Sequence, residues 1–133
     1  MKQVFKLASF FRFPIVIFLV HSLVKSLGLY DLYPNVDIVS HFLGGLSIAY
    51  TASQILSFFE AAQITTTRNR LFFGVFILSL TATAAVSWEF AEFLSDQLLN
   101  THLQPSIANT MQDQFLGIAG GCVWSMIYLI KKF

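Results

Sequence analysis

The chain has 133 residues, 56% of them hydrophobic and 11% charged, and carries a net charge of +1. Soluble domains are about one quarter charged, so this composition excludes a water-soluble globular protein. The near-neutral balance excludes a nucleic-acid partner held by a general basic field, and the single cysteine, Cys122, excludes an intrachain disulfide framework. At roughly 20 residues per membrane helix, the length allows about four passes and no separate soluble domain. Residues 1–133 are therefore predicted to form one all-α domain, an integral-membrane four-helix bundle whose first partner is the lipid bilayer.

The N-terminal segment through Arg12 is basic, with Lys2, Lys6 and Arg12. An apolar run over 13–29 follows, and it is predicted to be an uncleaved first helix: no small-residue cleavage site follows it, and His21 and Lys25 interrupt it. Tyr30, Tyr33 and Pro34 mark a short interfacial loop. The second helix is expected over 37–59, capped by Asn35 or Asp37, with Gly44 and Gly45 one turn beyond His41. A polar link through Thr65, Thr66, Thr67, Arg68 and Arg70 leads to a third helix over 71–95. Its Ala-, Ser- and Thr-rich middle suggests an inner, closely packed position. The longest loop, broken by Pro105, gives way at Ser106 or Thr110 to a fourth helix over 110–130. There Gly117 and Gly121 form a G-x-x-x-G face.

Orientation follows from the basic residues. With both termini inside, Lys2, Lys6, Arg12, Arg68, Arg70, Lys131 and Lys132 all fall on the inner side, and Lys25 alone lies outside. The acids sort the opposite way: Asp31, Asp37, Glu89, Glu92, Asp96 and Asp113 lie outward and Glu60 inward.

This sorting brings polar groups from all four helices to one leaflet. Asp37 and His41 are spaced i, i+4, as are Asn109 and Asp113, and His21 and Lys25. Glu89, Glu92 and Asp96 share one face at a helix C-terminus, where the macrodipole disfavours carboxylates. Ionisable groups at such depth normally face a bundle interior or a wet cavity. His with several carboxylates is a ligand set for a divalent cation such as Zn, Mn or Fe. The expected ligands are His41, Glu89, Glu92 and Asp113, with Asp37, Asn109 and Lys25 behind them, and Glu89 and Glu92 are the candidate catalytic groups. Asp96 and His102 are expected to be solvated loop residues, and His21 a structural hydrogen-bond partner. Taken singly, Asp37 also reads as a helix cap and Thr110-x-x-Asp113 as a capping box.

Three segments, Asp37-Ile-Val-Ser-His41-Phe-Leu-Gly-Gly45, Trp88-Glu89-Phe-Ala-Glu92-Phe-Leu-Ser-Asp96 and Asn109-Thr-Met-Gln-Asp113-Gln-Phe-Leu-Gly117-Ile-Ala-Gly120, together resemble the YjdF-type bacterial inner-membrane family and, more distantly, the VanZ-like family. The resemblance implies a bacterial inner-membrane location and a shared polar face, without an established reaction. The YjdF-type pattern often has acids at the positions of Asn109 and Gly117. Three functions fit the residues: a membrane enzyme or metal-binding protein acting on an envelope or lipid-linked substrate, a small proton- or ion-coupled transporter made complete by homo-oligomerisation, and a non-catalytic membrane subunit.

Overall fold

The computed structural model describes residues 8–33, 35–65 and 69–133. Lys2, Lys6, Pro34, Thr66, Thr67, Arg68 and the side chain of Asp31 lie outside that description. The architecture is all-α, as expected. Helix α1 (Arg12–Ser26) is followed by a single turn, α2 (Leu29–Leu32), and then by three long helices, α3 (Asn35–Ala61), α4 (Arg70–Leu99) and α5 (Ile107–Lys132).

Local chemistry sets the boundaries. The first apolar run stops at Ser26 because Gly28 adopts a left-handed φ of 66°, a conformation open to glycine at no steric cost. The Gly28 amide then donates to the Lys25 carbonyl at 3.0 Å. Asn69 caps α4 by accepting from the amides of Leu71 and Phe72. Of the two expected starts for α5, Ser106 is the one used, and its hydroxyl accepts from the Asn109 amide at 3.1 Å. Asp113 thus stands beyond the first turn and closes no capping box.

At 1.5 Å per residue, the 27, 30 and 26 residues of α3, α4 and α5 give helices of about 39–45 Å. These exceed the roughly 30 Å hydrocarbon core of a bilayer. Among the described residues these three helices are long and apolar enough to cross a membrane. The 15 residues of α1 reach about 22 Å, so α1 on its own falls short of a full span.

The inner helix is α3, not the expected α4. In its most apolar window α3 is 39% buried, against 28% for α5 and 17% for α4. The reason lies in the glycines. A Cβ on Gly45 would stand 1.8 Å from the Gly117 carbonyl oxygen, and one on Gly120 would stand 2.1 Å from the Phe42 carbonyl oxygen. The backbones of α3 and α5 therefore touch where Ala, Ser or Thr would hold them apart, and this is the most extensive helix contact in the fold. Helix α4 packs on both, and on α5 its Thr81 meets Gly121. Helix α1 leans on α3 and scarcely approaches α4.

The apolar core, Ala49, Ala52, Leu56, Phe73 and Ile77, sits toward the end where α3 and α5 finish, with Trp124, Tyr128 and Leu129 against it. At that end Lys132 pairs with Glu60. Ile15, Leu19, Leu23, Val75, Phe90, Phe115 and Ile130 are among the many large apolar side chains that face outward, as a lipid-facing surface requires.

Candidate functional site

The opposite end of the bundle gathers the polar residues. His41, one turn before Gly45 on α3, is carried into the centre by the tight α3–α5 contact. Asp113, one turn before Gly117 on α5, meets it from the other side, with Asp113 Oδ2 3.7 Å from His41 Nε2. From α4, Glu89 Oε1 lies 3.9 Å from His41 Nδ1. From the first turn of α3, Asp37 Oδ1 lies 3.4 Å from His41 Nε2, and Asp37 Oδ2 accepts from Asn109 Nδ2 at 3.5 Å. The Asp37 side chain is thus turned to His41 and Asn109.

One ligating atom from each of His41, Glu89 and Asp113 falls within 4.8 Å of the others. Glu89 and Asp113 are each only 3% exposed. Glu89 Oε1 and Asp113 Oδ1 are buried without a hydrogen-bond partner, and unpaired polar atoms of this kind are costly. Two carboxylates that close repel by about 3.5 kcal/mol at an effective dielectric near 20. The geometry therefore asks for a cation or a shared proton at the point where the three side chains meet.

Glu92 occupies a different place. Its Oε1 accepts from Lys25 Nζ at 3.2 Å and lies 3.7 Å from His21 Nε2. Lys25 and Glu92 form the outer flank of the site, and Glu92 stands outside the group formed by His41, Glu89 and Asp113.

Two features escaped the sequence reading. The first is the tautomer of His21. The Ser40 hydroxyl donates to the Val36 carbonyl at 2.9 Å, and the Tyr30 hydroxyl donates to Ser40 Oγ at 3.0 Å. The Tyr30 oxygen is then left to accept from His21 Nδ1, 2.8 Å away. Burial pushes the Tyr30 phenol above its ordinary pKa against the Ser40 hydrogen bond, and nearby Asp37, Glu92 and Asp113 add to the rise, so it keeps its proton. With Nδ1 protonated, the neutral ring carries its lone pair on Nε2, an atom buried without a hydrogen-bond partner. His21, Asp37 and His41 form a second group with ligating atoms within 4.8 Å. The sequence marked His21 as a hydrogen-bond partner, which it is; the lone pair became visible only once Tyr30 and Ser40 were placed beside it.

The second is the loop over 100–106. Asp96, expected in a solvated loop, lies inside α4 and holds that loop in place. Its Oδ1 accepts from the Thr101 hydroxyl and the Leu103 amide, both at 2.7 Å, and its Oδ2 from the Gln104 amide at 3.0 Å. The loop returns the favour to the site. Gln104 Nε2 donates to the Glu89 carbonyl at 2.9 Å and to Glu89 Oε2 at 3.2 Å, and the Leu103 carbonyl accepts from Lys25 at 3.2 Å. Asp96 thereby positions Glu89 through Gln104. Asp96→Ala is expected to speed amide hydrogen exchange at Leu103 and Gln104 at least tenfold while leaving the amides of α3 unchanged. Unaltered exchange at those two amides would show that the loop holds itself.

The fold and the cluster define a polytopic α-helical membrane protein with a buried His/carboxylate group at one end of the helix bundle. The particular family follows from comparison: residues 1–132 match the DUF2238 family of predicted membrane proteins, and the chain belongs to it. Comparison with curated proteins and with solved structures gives no match.

Proposed function

We propose that the protein binds one divalent cation, of the Zn, Mn or Fe kind, between His41, Glu89 and Asp113, and uses it on an envelope or lipid-linked substrate at the outer leaflet. The observation that carries this reading is the convergence of three ligating atoms with two buried carboxylate oxygens that have no other partner. Asp37 and Asn109 orient His41 from behind. When bound, such a cation supplies Lewis acidity toward a coordinated oxygen. Glu92, held ready by Lys25, is then the proton acceptor beside it.

The outward position of the site rests on an N-in, C-in arrangement. Arg12, Arg70, Lys131 and Lys132 all lie toward the end of the bundle away from the cluster, which supports it. The order of the motifs around His41, Glu89 and Asp113 supports a wider kinship with the YjdF-type inner-membrane proteins and a bacterial plasma-membrane location.

Elemental analysis of protein purified in mild detergent tests the proposal. About one equivalent of a transition metal is expected, removable by chelator and restored on adding the metal back. Less than one tenth of an equivalent, both as purified and after incubation with Zn, Mn and Fe salts, would sink it.

A further inference from the structure

A cavity of about 210 Å³ runs from the polar cluster along the middle of the bundle. Its floor is apolar: Ile17 and Phe18 of α1, Gly44 and Ile48 of α3, and Ala84 and Ala85 of α4. Its far end is polar, formed by His41 and Asp113. Helix packing does not fill it, because α1 rests on α3 and scarcely approaches α4. Beside the cavity the gap between α1 and α4 is spanned by a pair of edge-to-face ring contacts, Phe18 with Trp88 at 5.5 Å and His21 with Trp88 at 5.2 Å, and beyond them by the Lys25–Glu92 hydrogen bond. A second cavity of about 470 Å³ lies in the same cleft, lined by Phe18 and Trp88 and also by Lys25, Ser22 and Ser95.

Gly44 gives the cavity its meaning. Gly45, Gly117, Gly120 and Gly121 are each crowded by a neighbouring helix, and a Cβ there would meet backbone or side-chain atoms within 3.3 Å. A Cβ on Gly44 would meet nothing within 4 Å. Packing therefore does not require glycine at this position; its missing side chain leaves the cavity open. In a protein whose outer surface is apolar, the medium facing a cleft between α1 and α4 is hydrocarbon. The first cavity is smaller than the roughly 300–1,000 Å³ of drug-sized sites, and its apolar walls suit part of one hydrocarbon chain.

We infer that this cleft admits a membrane amphiphile from the plane of the bilayer, with one acyl or prenyl chain lying against Gly44, Ile48 and Ala84 and an oxygen-anion head directed to His41 and Asp113. The chain site rests on the cavity itself. The choice of an anionic head rests on the cation proposed above, since an acidic cluster accepts such a head only with a metal between them.

Photo-crosslinking with a lysophosphatidic acid carrying a diazirine in its chain tests both parts. The protein is reconstituted in phosphatidylcholine nanodiscs and labelled peptides are mapped by mass spectrometry. Labelling is expected to concentrate at the cavity-lining Pro14, Ile17, Ala84, Ala85 and Trp88, above the level at the lipid-facing Ile15, Leu19, Val86, Phe90 and Phe93. Gly44→Leu should reduce labelling at those five cavity-lining residues at least tenfold while leaving the thermal midpoint and metal content of the protein unchanged. Ala84→Leu, which fills the cavity from the opposite wall, should do the same and stands in if Gly44→Leu fails to fold. Labelling spread evenly over the lipid-facing surface, or undiminished in the filled variants, overturns the chain site. Chelation is expected to lower labelling of wild-type protein at least fivefold; full labelling after chelation overturns the metal-held head and leaves the chain site standing.

Discussion

Replacing Glu89 with glutamine is expected to lower metal affinity by more than about 100-fold, whereas Glu92→Gln is expected to leave the metal in place. Sequence spacing treats the two residues alike, one turn apart on the same face. Their surroundings differ. Glu89 Oε1 points toward His41 and has no other partner, and Glu92 is taken up by Lys25. Loss of a group behind a ligand typically weakens metal binding 10- to 100-fold, and loss of the ligand itself exceeds that. Glu89→Gln also removes one of two crowded carboxylates, so the metal-free variant should unfold no earlier than wild type.

The contrast is read by thermal unfolding with and without metal. A cation at 100 times its Kd stabilises the folded state by about 2.7 kcal/mol, and that gain should vanish in Glu89→Gln. Glu92→Gln should keep the gain while unfolding earlier overall, by about 1.5–3 kcal/mol, because a charged hydrogen bond is lost. Equal metal-dependent gains in wild type and Glu89→Gln would remove Glu89 from the ligand set. Loss of the gain in Glu92→Gln would restore Glu92 to it.

Gly45→Ala is expected to destabilise the protein by more than about 3 kcal/mol, the upper end for overpacking a buried contact. The added methyl would lie 1.8 Å from the Gly117 oxygen and 2.5 Å from its carbonyl carbon. Both are backbone atoms, so no side chain can rotate away, and α3 and α5 must separate. Separation pulls His41 from Asp113, since each stands one turn from this contact, so metal binding should fall with stability. The neighbouring Gly44→Ala serves as the control and should be nearly neutral. Thermal unfolding of both variants in the same detergent checks the pair; a change below about 1 kcal/mol for Gly45→Ala would mean that the two helices do not meet there.

Much of the fold was legible because it depends on local properties. Long apolar stretches broken by Pro, Gly and polar links specify helices whatever surrounds them, and the observed ends lie within a few residues of those expected. The early end at Ser26 has a local cause, the left-handed Gly28. Helix rank was not legible. Small residues made α4 look like the inner helix, but three glycines on α3 and α5 bring those backbones into contact, and how closely two helices approach depends on both partners at once.

The site divides along the same line. That carboxylates and histidines from separate helices share one end of a membrane bundle was legible in the chain, because charge sorting and i, i+4 spacing are properties of residue order. Only the tertiary structure decided which of them meet: Glu89 and Asp113 on His41, Glu92 on Lys25, Asp96 on the loop that carries Gln104, and His21 turned by Tyr30 and Ser40. Those pairings are set by distances of a few ångströms between residues as far apart in the chain as His41 and Asp113. Helical periodicity gives a side chain its face and not its partner, and the partner is fixed only when the glycines bring α3 and α5 together.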